Sequence, residues 1–180
     1  GAPLTRMLGH SGSRIALDVV YRPDQPGLAM HRAALFHVLW QAATSAGVVL
    51  LTGQTATATR ETRDEIHLVT NGEEHGPFDL IVDASGAGST LSPLKARPLP
   101  FGAVWAHVPW PATDLPPTEL RQRYRAARRM AGILPIGSLP GNPTPRAAVF
   151  WSLSAAELDA WPDRSLPDWK TEVATFWPAM

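Results

Sequence analysis

Residues 78–90 read Phe78-Asp79-Leu80-Ile81-Val82-Asp83-Ala84-Ser85-Gly86-Ala87-Gly88-Ser89-Thr90, and the fold prediction starts from them. This stretch opens with a short apolar run centred on the β-branched Ile81 and Val82, which predicts a strand buried on both faces, as in a parallel sheet. The side chains then shrink abruptly to alanine, serine and glycine. Small residues after the carboxyl end of such a strand let a ligand approach the backbone, and exposed amides there suit a phosphate. A glycine-rich turn between two strands has the same pattern, so both interpretations stay open.

This stretch resembles the second FAD-contacting motif of the flavoprotein monooxygenases that are similar to para-hydroxybenzoate hydroxylase. That motif usually reads Ala-Asp-Gly-x-x-Ser-x-x-Arg. Three positions of the chain fit it: Ala84, Gly86 and Ser89. Two positions depart from it, because Ser85 stands at the aspartate position and Ser92 at the arginine position. The resemblance covers most of the chain, whose helix, strand, hairpin and glycine-ended strand follow the order used in this family.

The resemblance implies an FAD site with NADH or NADPH as a possible electron donor. The implied FAD contacts on the motif are Asp83, Ser85, Gly86, Gly88 and Ser89. Asp83 has an alternative role as a cap of the turn. Arg32 matches the arginine that the family places near the flavin at the start of an Arg-x-x-Leu helix; alternatively it is a solvated helix-end residue. His31 is interpreted as a polar helix-start residue, and residues 53–57 would pass beside the adenine.

Composition excludes several classes of function. The 180 residues carry 16 basic and 16 acidic side chains, so bulk electrostatics give no reason to expect a nucleic-acid partner. The chain has no cysteine, which excludes disulfides, thiolate metal sites and a cysteine nucleophile. No histidine or carboxylate cluster has metal-ligand spacing. No apolar run approaches the roughly 20 residues of a membrane helix, and we predict a cytoplasmic protein.

The first half of the chain predicts one helix among short strands. Residues 31–46 place Leu35, Val38, Leu39, Ala42 and Ala46 on one stripe, which predicts an amphipathic helix that ends at Gly47. A turn at residues 9–13 precedes a strand at 14–21, and residues 22–27 break that strand. Further strands are predicted at 48–51, 54–60 and 65–70, the first of them buried. Asn71-Gly72 indicates a tight turn.

The second half predicts a sheet with helices. Strands are predicted at 101–110, 133–136 and 147–151, a short helix after the cap Ser154, and a last helix with Pro167 near its start. Residues 118–130 predict a helix with Leu120, Tyr124 and Ala127 on one stripe. Five arginines of that segment form a solvated face, with Glu119 paired to Arg123, in preference to an anion-docking face. These are Arg121, Arg123, Arg125, Arg128 and Arg129.

Aromatic residues on the predicted sheet give the substrate-site hypothesis. Alternation places Trp105 and His107 on one face of a strand, and Phe150 lies on a neighbouring strand. An aromatic face suits an apolar or aromatic substrate, although a hydrophobic core needs the same residues. The predicted substrate residues are Trp105, His107 and Phe150, and no catalytic residue is assigned.

Together these features predict an α+β chain. Residues 1–93 would form a partial FAD-binding α/β region with inserted strands, and residues 94–180 an antiparallel substrate-binding sheet with packed helices. Because the chain has no Gly-x-Gly-x-x-Gly, we expect it to be the middle of a longer FAD-dependent monooxygenase that hydroxylates or oxidises a small apolar or aromatic molecule. The chain alone would be inactive, and an exposed strand edge at residues 80–84 could pair with a second copy.

Two other classes remain as alternatives. One is a flavin-dependent halogenase or reductase of the same superfamily, although the chain lacks the halogenase signature Trp-x-Trp-x-Ile. The other is a non-enzymatic module that binds a small molecule on its aromatic sheet.

Overall fold

The structure of the chain, a computed structural model, describes residues 1–94 and 96–178. It divides into two units: the first joins Gly1–Ala43 to the residues from Leu99 onward, and the second is Thr44–Pro98. In chain order the strands are β1 (Ala2–Leu4), β2 (Arg6–Ser11), β3 (Arg14–Val20), β4 (Gly27–Ala29), β5 (Ala56–Glu61), β6 (Ile66–Thr70), β7 (Glu73–Phe78), β8 (Phe101–Pro109), β9 (Glu119–Arg125), β10 (Arg129–Leu139) and β11 (Asn142–Ser154). The helices are α1 (Arg32–Ser45), α2 (Ala155–Asp159) and α3 (Leu166–Phe176), with a 3-10 turn at Trp161–Asp163. Sheet predominates, so the fold is α+β or mainly β.

The first unit is built on a six-stranded sheet of order β3-β2-β9-β10-β11-β8. Every neighbouring pair in this sheet is antiparallel except β2 and β9, which run parallel. One face of β10 and β11 packs on α3 and forms the core, which we call the core face. Its buried residues are Ala131, Ile133, Ala147, Trp151, Leu153, Val173 and Trp177. Alternation turns Phe150, Trp105 and His107 to the opposite face, which we call the open face.

The predicted helix at residues 31–46 is confirmed as α1. Gly47 ends it with a positive φ of 74°, a conformation that glycine adopts without steric cost, and its amide donates to the Thr44 carbonyl at 3.0 Å. The apolar stripe, however, is not buried, since Leu35, Val38 and Leu39 are all exposed. Periodicity predicts which side of a helix is apolar, but burial also requires a surface to cover it.

The second unit contains the antiparallel sheet β5-β6-β7. The two predicted strands are confirmed as β5 and β6, and the predicted tight turn is confirmed because Asn71 and Gly72 have positive φ values of 48° and 87°. The Asn71 side chain also accepts a hydrogen bond from the Thr55 amide at 3.1 Å. The third strand, β7, was not predicted; its Glu74 forms an ion pair with Arg60 of β5.

The predicted buried strand at residues 78–82 is wrong. Phe78 ends β7, and residues 79–84 belong to no strand and pair with none of the strands that the structure describes. Leu80 and Val82 are each 75% exposed. The predicted strand at residues 48–51 is wrong in the same way, with exposed side chains throughout. An apolar run becomes a buried strand only beside neighbouring strands, and the described residues supply none for these two segments.

The predicted helix at residues 118–130 is also wrong, because the segment forms β9, a turn and the start of β10. Its charges alternate from Glu119 to Arg125 with period two, which suits a strand, and β9 pairs with both β2 and β10. The turn is closed by Ala126 with a positive φ of 50°. Glu119 consequently pairs with Arg121 on the same face of the strand, at 2.5 Å, and not with Arg123.

The remaining elements largely agree with the sequence. The predicted strands at residues 101–110 and 14–21 are confirmed as β8 and β3, each of which ends one residue earlier than predicted, and the strands at 133–136 and 147–151 lie within β10 and β11. Ser154 caps α2 and Ser165 caps α3, whose first turn contains Pro167. The predicted turn at residues 9–13 is shorter, since β2 continues to Ser11. The small strands β1 and β4 were not predicted. None of the described helices is long and apolar enough to cross a membrane.

Candidate functional site

Flat aromatic rings lying against glycines form the floor of the open face. Phe150 is directly opposite Gly132 on β10 and Trp105 on β8. A Cβ added at Gly132 would lie only 2.0 Å from Cζ of Phe150, so the ring covers the glycine. In the same way Tyr124 covers Gly9, where an added Cβ would lie 2.5 Å from its ring. The glycines are therefore required for close approach of the rings, and they leave a broad apolar surface.

The three predicted substrate residues lie on this floor or beside it. Trp105 is 68% exposed, and its ring centroid is 6.0 Å from that of His107. Phe150 is half-buried between them and Gly132. The alternation seen in the sequence thus places Trp105, His107 and Phe150 together on one face. Whether they contact a substrate stays a prediction.

A cleft of about 580 Å³ lies where α1 begins beside β8. This volume is within the range of small-molecule sites. Its main lining side chains are His31, Arg32, Phe36, His37, Trp40 and His107. The His31 amide donates to the Ile136 carbonyl of β10 at 2.9 Å, which fixes the start of the helix against the sheet. As a result the rings of His31 and His107 approach to 4.2 Å.

His31 caps α1 and is held neutral. Its Nδ1 accepts a hydrogen bond from the Ala33 amide at 3.0 Å, so in the neutral ring the proton is on Nε2. Burial lowers the pKa of His31, and the nearby His107 and Arg146 lower it further. The sequence identified His31 only as a helix-start residue. Its proximity to His107 depends on the tertiary contact between α1 and the sheet, for which the sequence carries no local signal.

In the second unit, Asp83 organises the glycine-containing loop. Its Oδ1 accepts hydrogen bonds from the amide of Ser85 at 3.0 Å and from the Ser85 hydroxyl at 2.5 Å, and its Oδ2 accepts one from the Ser89 hydroxyl. These bonds, first that from the Ser85 side chain, lower the pKa of Asp83. The Ser89 Oγ in turn accepts from the amides of Leu91 and Ser92, both at 3.0 Å. Asp83 therefore does cap the turn, in its ionised form.

The glycines of this loop are open. Gly86 has a positive φ of 83°, and a Cβ at Gly86 or Gly88 would meet no atom within 4 Å. No hydrogen bond joins the amides of residues 86–88 to another described residue. The loop lines a cleft of about 440 Å³ that also contains Gln54 and Thr55. The structure thus brings the two segments with implied FAD contacts, residues 53–57 and 83–89, to one cleft.

These residues fit part of an FAD site. Open amides and small side chains allow a pyrophosphate to approach the backbone. The ionised Asp83 would repel a negatively charged pyrophosphate, but both of its carboxylate oxygens already accept hydrogen bonds from hydroxyl and amide donors of the loop. None of the described side chains lining this cleft is cationic.

The arginines predicted as a solvated helix face have structural contacts on a strand. Arg123 donates to the Gly12 carbonyl at 3.3 Å, and the guanidinium of Arg125 lies 5.1 Å from the centre of the Phe176 ring. Arg129 lies 5.0 Å from the centre of the Trp151 ring and donates to the Ser152 carbonyl at 2.5 Å. The contact of Arg125 with Phe176 joins the sheet to α3, whereas the contacts of Arg123 and Arg129 link parts of the sheet to one another.

The sequence matches no protein-family model, and no curated protein shows significant similarity to it. Among the residues that the structure describes, no group of three or more histidine, aspartate or glutamate side chains could hold a metal ion.

Proposed function

We propose that the chain provides the substrate-binding sheet and part of the FAD-binding region of an FAD-dependent monooxygenase or related oxidoreductase. The observation that carries this proposal is the open face of the six-stranded sheet, where Phe150 and Trp105 form an apolar floor that ends at the cleft of His31 and His107. The proposal also rests on the resemblance of residues 83–92 to a flavin-binding motif.

The floor suits a small apolar or aromatic substrate. A planar ring can stack on Phe150 or pack against the exposed face of Trp105, since both present broad apolar surface. At the end of the floor, neutral His31 offers its Nε2–H as a hydrogen-bond donor, and this group would orient a carbonyl or hydroxyl of the substrate. The aromatic side chains Phe36 and Trp40, whose ring centroids are 6.1 Å apart, add apolar surface on the helix side of the cleft.

The cofactor would be held by backbone groups of the 83–89 loop, with Asp83 fixing the loop and Gly86 and Gly88 admitting the pyrophosphate. Arg32 at the start of α1 is the residue that the resemblance assigns to the flavin. The bound flavin would supply the electron transfer and oxygen activation, which no side chain of the chain needs to perform. The role of the protein is then to bind and orient the substrate and to exclude water.

A non-enzymatic binding module is the second candidate, and the open face itself favours it, because an aromatic floor binds a ring without any cofactor. A halogenase or reductase would share the flavin but differ in reaction. Flavin absorbance separates the binding module from all the enzymes.

The test uses the full-length protein that contains these residues. We expect it to hold FAD, and we expect single-ring phenols to perturb the absorbance spectrum of the bound flavin. Phe150→Ala should weaken that perturbation at least several-fold, because it removes half of the floor. Val20→Ala, an exposed apolar truncation on the distant edge strand β3, is the matched control and should leave the affinity unchanged. Equal loss in both variants, or a flavin-free protein, would contradict the proposal.

A further inference from the structure

The strand β8 lies at one end of the six-stranded sheet, and its outer edge pairs with no strand that the structure describes. The two ends of its ladder with β11 show which backbone groups face that edge. The carbonyl of Pro100 accepts from the Ala155 amide at 2.9 Å, and the Trp110 amide donates to the Pro145 carbonyl at 2.8 Å. Backbone groups alternate in direction along a strand, and the register between β8 and β11 is unbroken, so every even-numbered residue of β8 faces β11.

The odd-numbered residues of β8 therefore direct their N–H and C=O groups away from the sheet. Before the terminal Pro109, which has no N–H, these residues are Phe101, Ala103, Trp105 and His107. None of their backbone groups forms a hydrogen bond with another residue in the part of the chain that the structure describes. All of these residues are exposed to solvent, so the outer edge of β8 is an accessible row of donors and acceptors.

The two edges of the sheet differ in how they are protected against pairing. The other edge, β3, carries the charged Arg14 and Asp18 and has a bulge opposite Gly9 and His10, and both features disfavour pairing with a further strand. The nine residues of β8 include no lysine, arginine, aspartate or glutamate, and their pairing with β11 contains no bulge. A long, regular and uncharged edge strand is a template for another strand, and natural proteins rarely leave one uncovered.

We propose that β8 pairs with β8 of a second copy of the chain, in an antiparallel arrangement with a two-fold axis at Val104. In this register the outward-facing residues of the two copies lie opposite each other, so the N–H of each meets a carbonyl of the other copy. Trp105 lies beside the small Ala103 of the partner subunit. A register centred on Trp105 would instead place the two indoles directly opposite and would set Pro109, which has no N–H, against Phe101. The sequence of large and small residues is therefore self-complementary, which favours a second copy over an unrelated strand.

This pairing extends the sheet across both copies and keeps the two open faces on the same side. The partner's Ala103 then lies beside Trp105, and the partner's Phe101 lies beside His107, at the border of the proposed substrate floor. The contacts between the copies are made by backbone groups of β8. They do not depend on the proposed function, so a flavin-free protein would leave this inference standing.

Ala103→Pro tests the edge pairing, with Ala103→Ser as the matched control. Proline removes an N–H that faces the outer edge, so the ladder with β11 keeps its hydrogen bonds, whereas each copy in the dimer loses one donor and gains a bulky ring. In sedimentation equilibrium across the micromolar range, the mass of the wild-type 180-residue chain should rise toward twice that of the monomer. Ala103→Pro should weaken the dimer at least about tenfold, because two hydrogen bonds are lost, and Ala103→Ser should change its affinity by less than about twofold. A monomeric wild type, or a dimer that Ala103→Pro leaves unchanged, would overturn the proposal.

Cysteine cross-linking tests the register independently, because the chain contains no cysteine of its own. Val104 lies on the two-fold axis in a non-hydrogen-bonded pair, where opposite Cα atoms are about 4.5 Å apart, within the roughly 4.4–6.8 Å that a disulfide spans. Val104→Cys should therefore form a disulfide-linked dimer under mild oxidation. Ala106→Cys, on the same face of β8 but opposite the partner's Gly102, should cross-link at least about tenfold more slowly. Equal rates in the two cysteine variants, or no cross-link in Val104→Cys, would overturn the proposal even where Ala103→Pro fails to fold.

Discussion

Replacing Glu157 by glutamine should destabilise the first unit, because the carboxylate of Glu157 accepts three hydrogen bonds there. Oε1 of Glu157 accepts a hydrogen bond from Arg129 at 2.5 Å, and Oε2 accepts from the amide and the hydroxyl of Ser154, both at 2.8 Å. These contacts, first that from the Ser154 amide, lower the pKa of Glu157 to about 2. Glu157→Gln removes the charge while keeping the size and one acceptor.

The magnitude follows from the shift in pKa. A change from 4.5 to about 2 corresponds to a ceiling of roughly 3 kcal/mol at 1.36 kcal/mol per unit. The Glu157 side chain is 39% exposed, so solvent screens part of this energy. We therefore expect a loss of about 1 to 1.5 kcal/mol near neutral pH. Because the pKa is lowered on folding, the stabilisation is complete above 4.5 and decreases as the pH falls from there toward 2.

Urea denaturation followed by tryptophan fluorescence measures this loss, because all seven tryptophans belong to the first unit. The difference between wild type and Glu157→Gln should be largest at neutral pH and should shrink at about pH 3. Asp159→Asn removes a charge from the same helix at an exposed position without an ion pair among the described residues, and should change stability by no more than about 0.5 kcal/mol. A stability difference between wild type and Glu157→Gln that does not depend on pH would contradict a stabilising role of the ionised carboxylate.

Three further predictions concern the proposed sites. Gly132→Ala should displace the Phe150 ring and cost about 1–3 kcal/mol in urea denaturation, and an unchanged stability with an unchanged ring position in a crystal structure would contradict the close contact. His31→Ala should lose about 1 kcal/mol by removing the cap of α1, whereas His31→Asn should retain most of it; equal stabilities of the two variants would argue against capping. The resemblance ties the aspartate that Ser85 replaces to use of the nicotinamide donor, so stopped-flow reduction of the FAD-loaded full-length protein by NADH or NADPH should be slow. Reduction should become faster in Ser85→Asp but not in the uncharged Ser85→Asn, while fast reduction of the wild type with no gain from Ser85→Asp would contradict this role of the position.

Local signals in the sequence were sufficient to predict elements that are fixed by interactions between residues close together in the chain. Residues 31–46 carry the helical period and end at a glycine, and Asn71-Gly72 supplies the positive φ values that a tight turn requires. Capping by Ser154 likewise involves side chain and backbone within one turn. In each case the interaction that fixes the structure is short in sequence.

The sequence was insufficient for segments whose secondary structure depends on contacts with residues far away in the chain. Residues 78–82 have the composition of a buried strand, yet the described chain offers no neighbouring strand, so the side chains remain exposed. Residues 118–130 satisfy both a helical stripe and a strand alternation, and pairing with β2 and β10 selects the strand. Whether such a segment forms a helix, a strand or neither depends on tertiary contacts, which a short stretch of sequence does not reveal.

In the candidate site, too, some features follow from local sequence and others depend on tertiary contacts. Alternation along β8 was enough to place Trp105 and His107 on one face, but the ring of Phe150 over Gly132 depends on the register between β10 and β11. The proximity of His31 to His107 depends on where α1 docks. Aromatic composition therefore indicated a binding face, and the packing that shapes it required the structure.

The flavin content of the purified protein tests the central proposal most directly. The full-length protein that contains these residues should bind FAD in a near-equimolar amount, measured by absorbance after removal of free cofactor. The 180-residue chain alone should bind none with useful affinity, because it lacks the Gly-x-Gly-x-x-Gly segment that supplies most phosphate-binding amides. A full-length protein that remains flavin-free after incubation with excess FAD would contradict the proposed function, and a flavin-loaded 180-residue chain would contradict the incomplete FAD site.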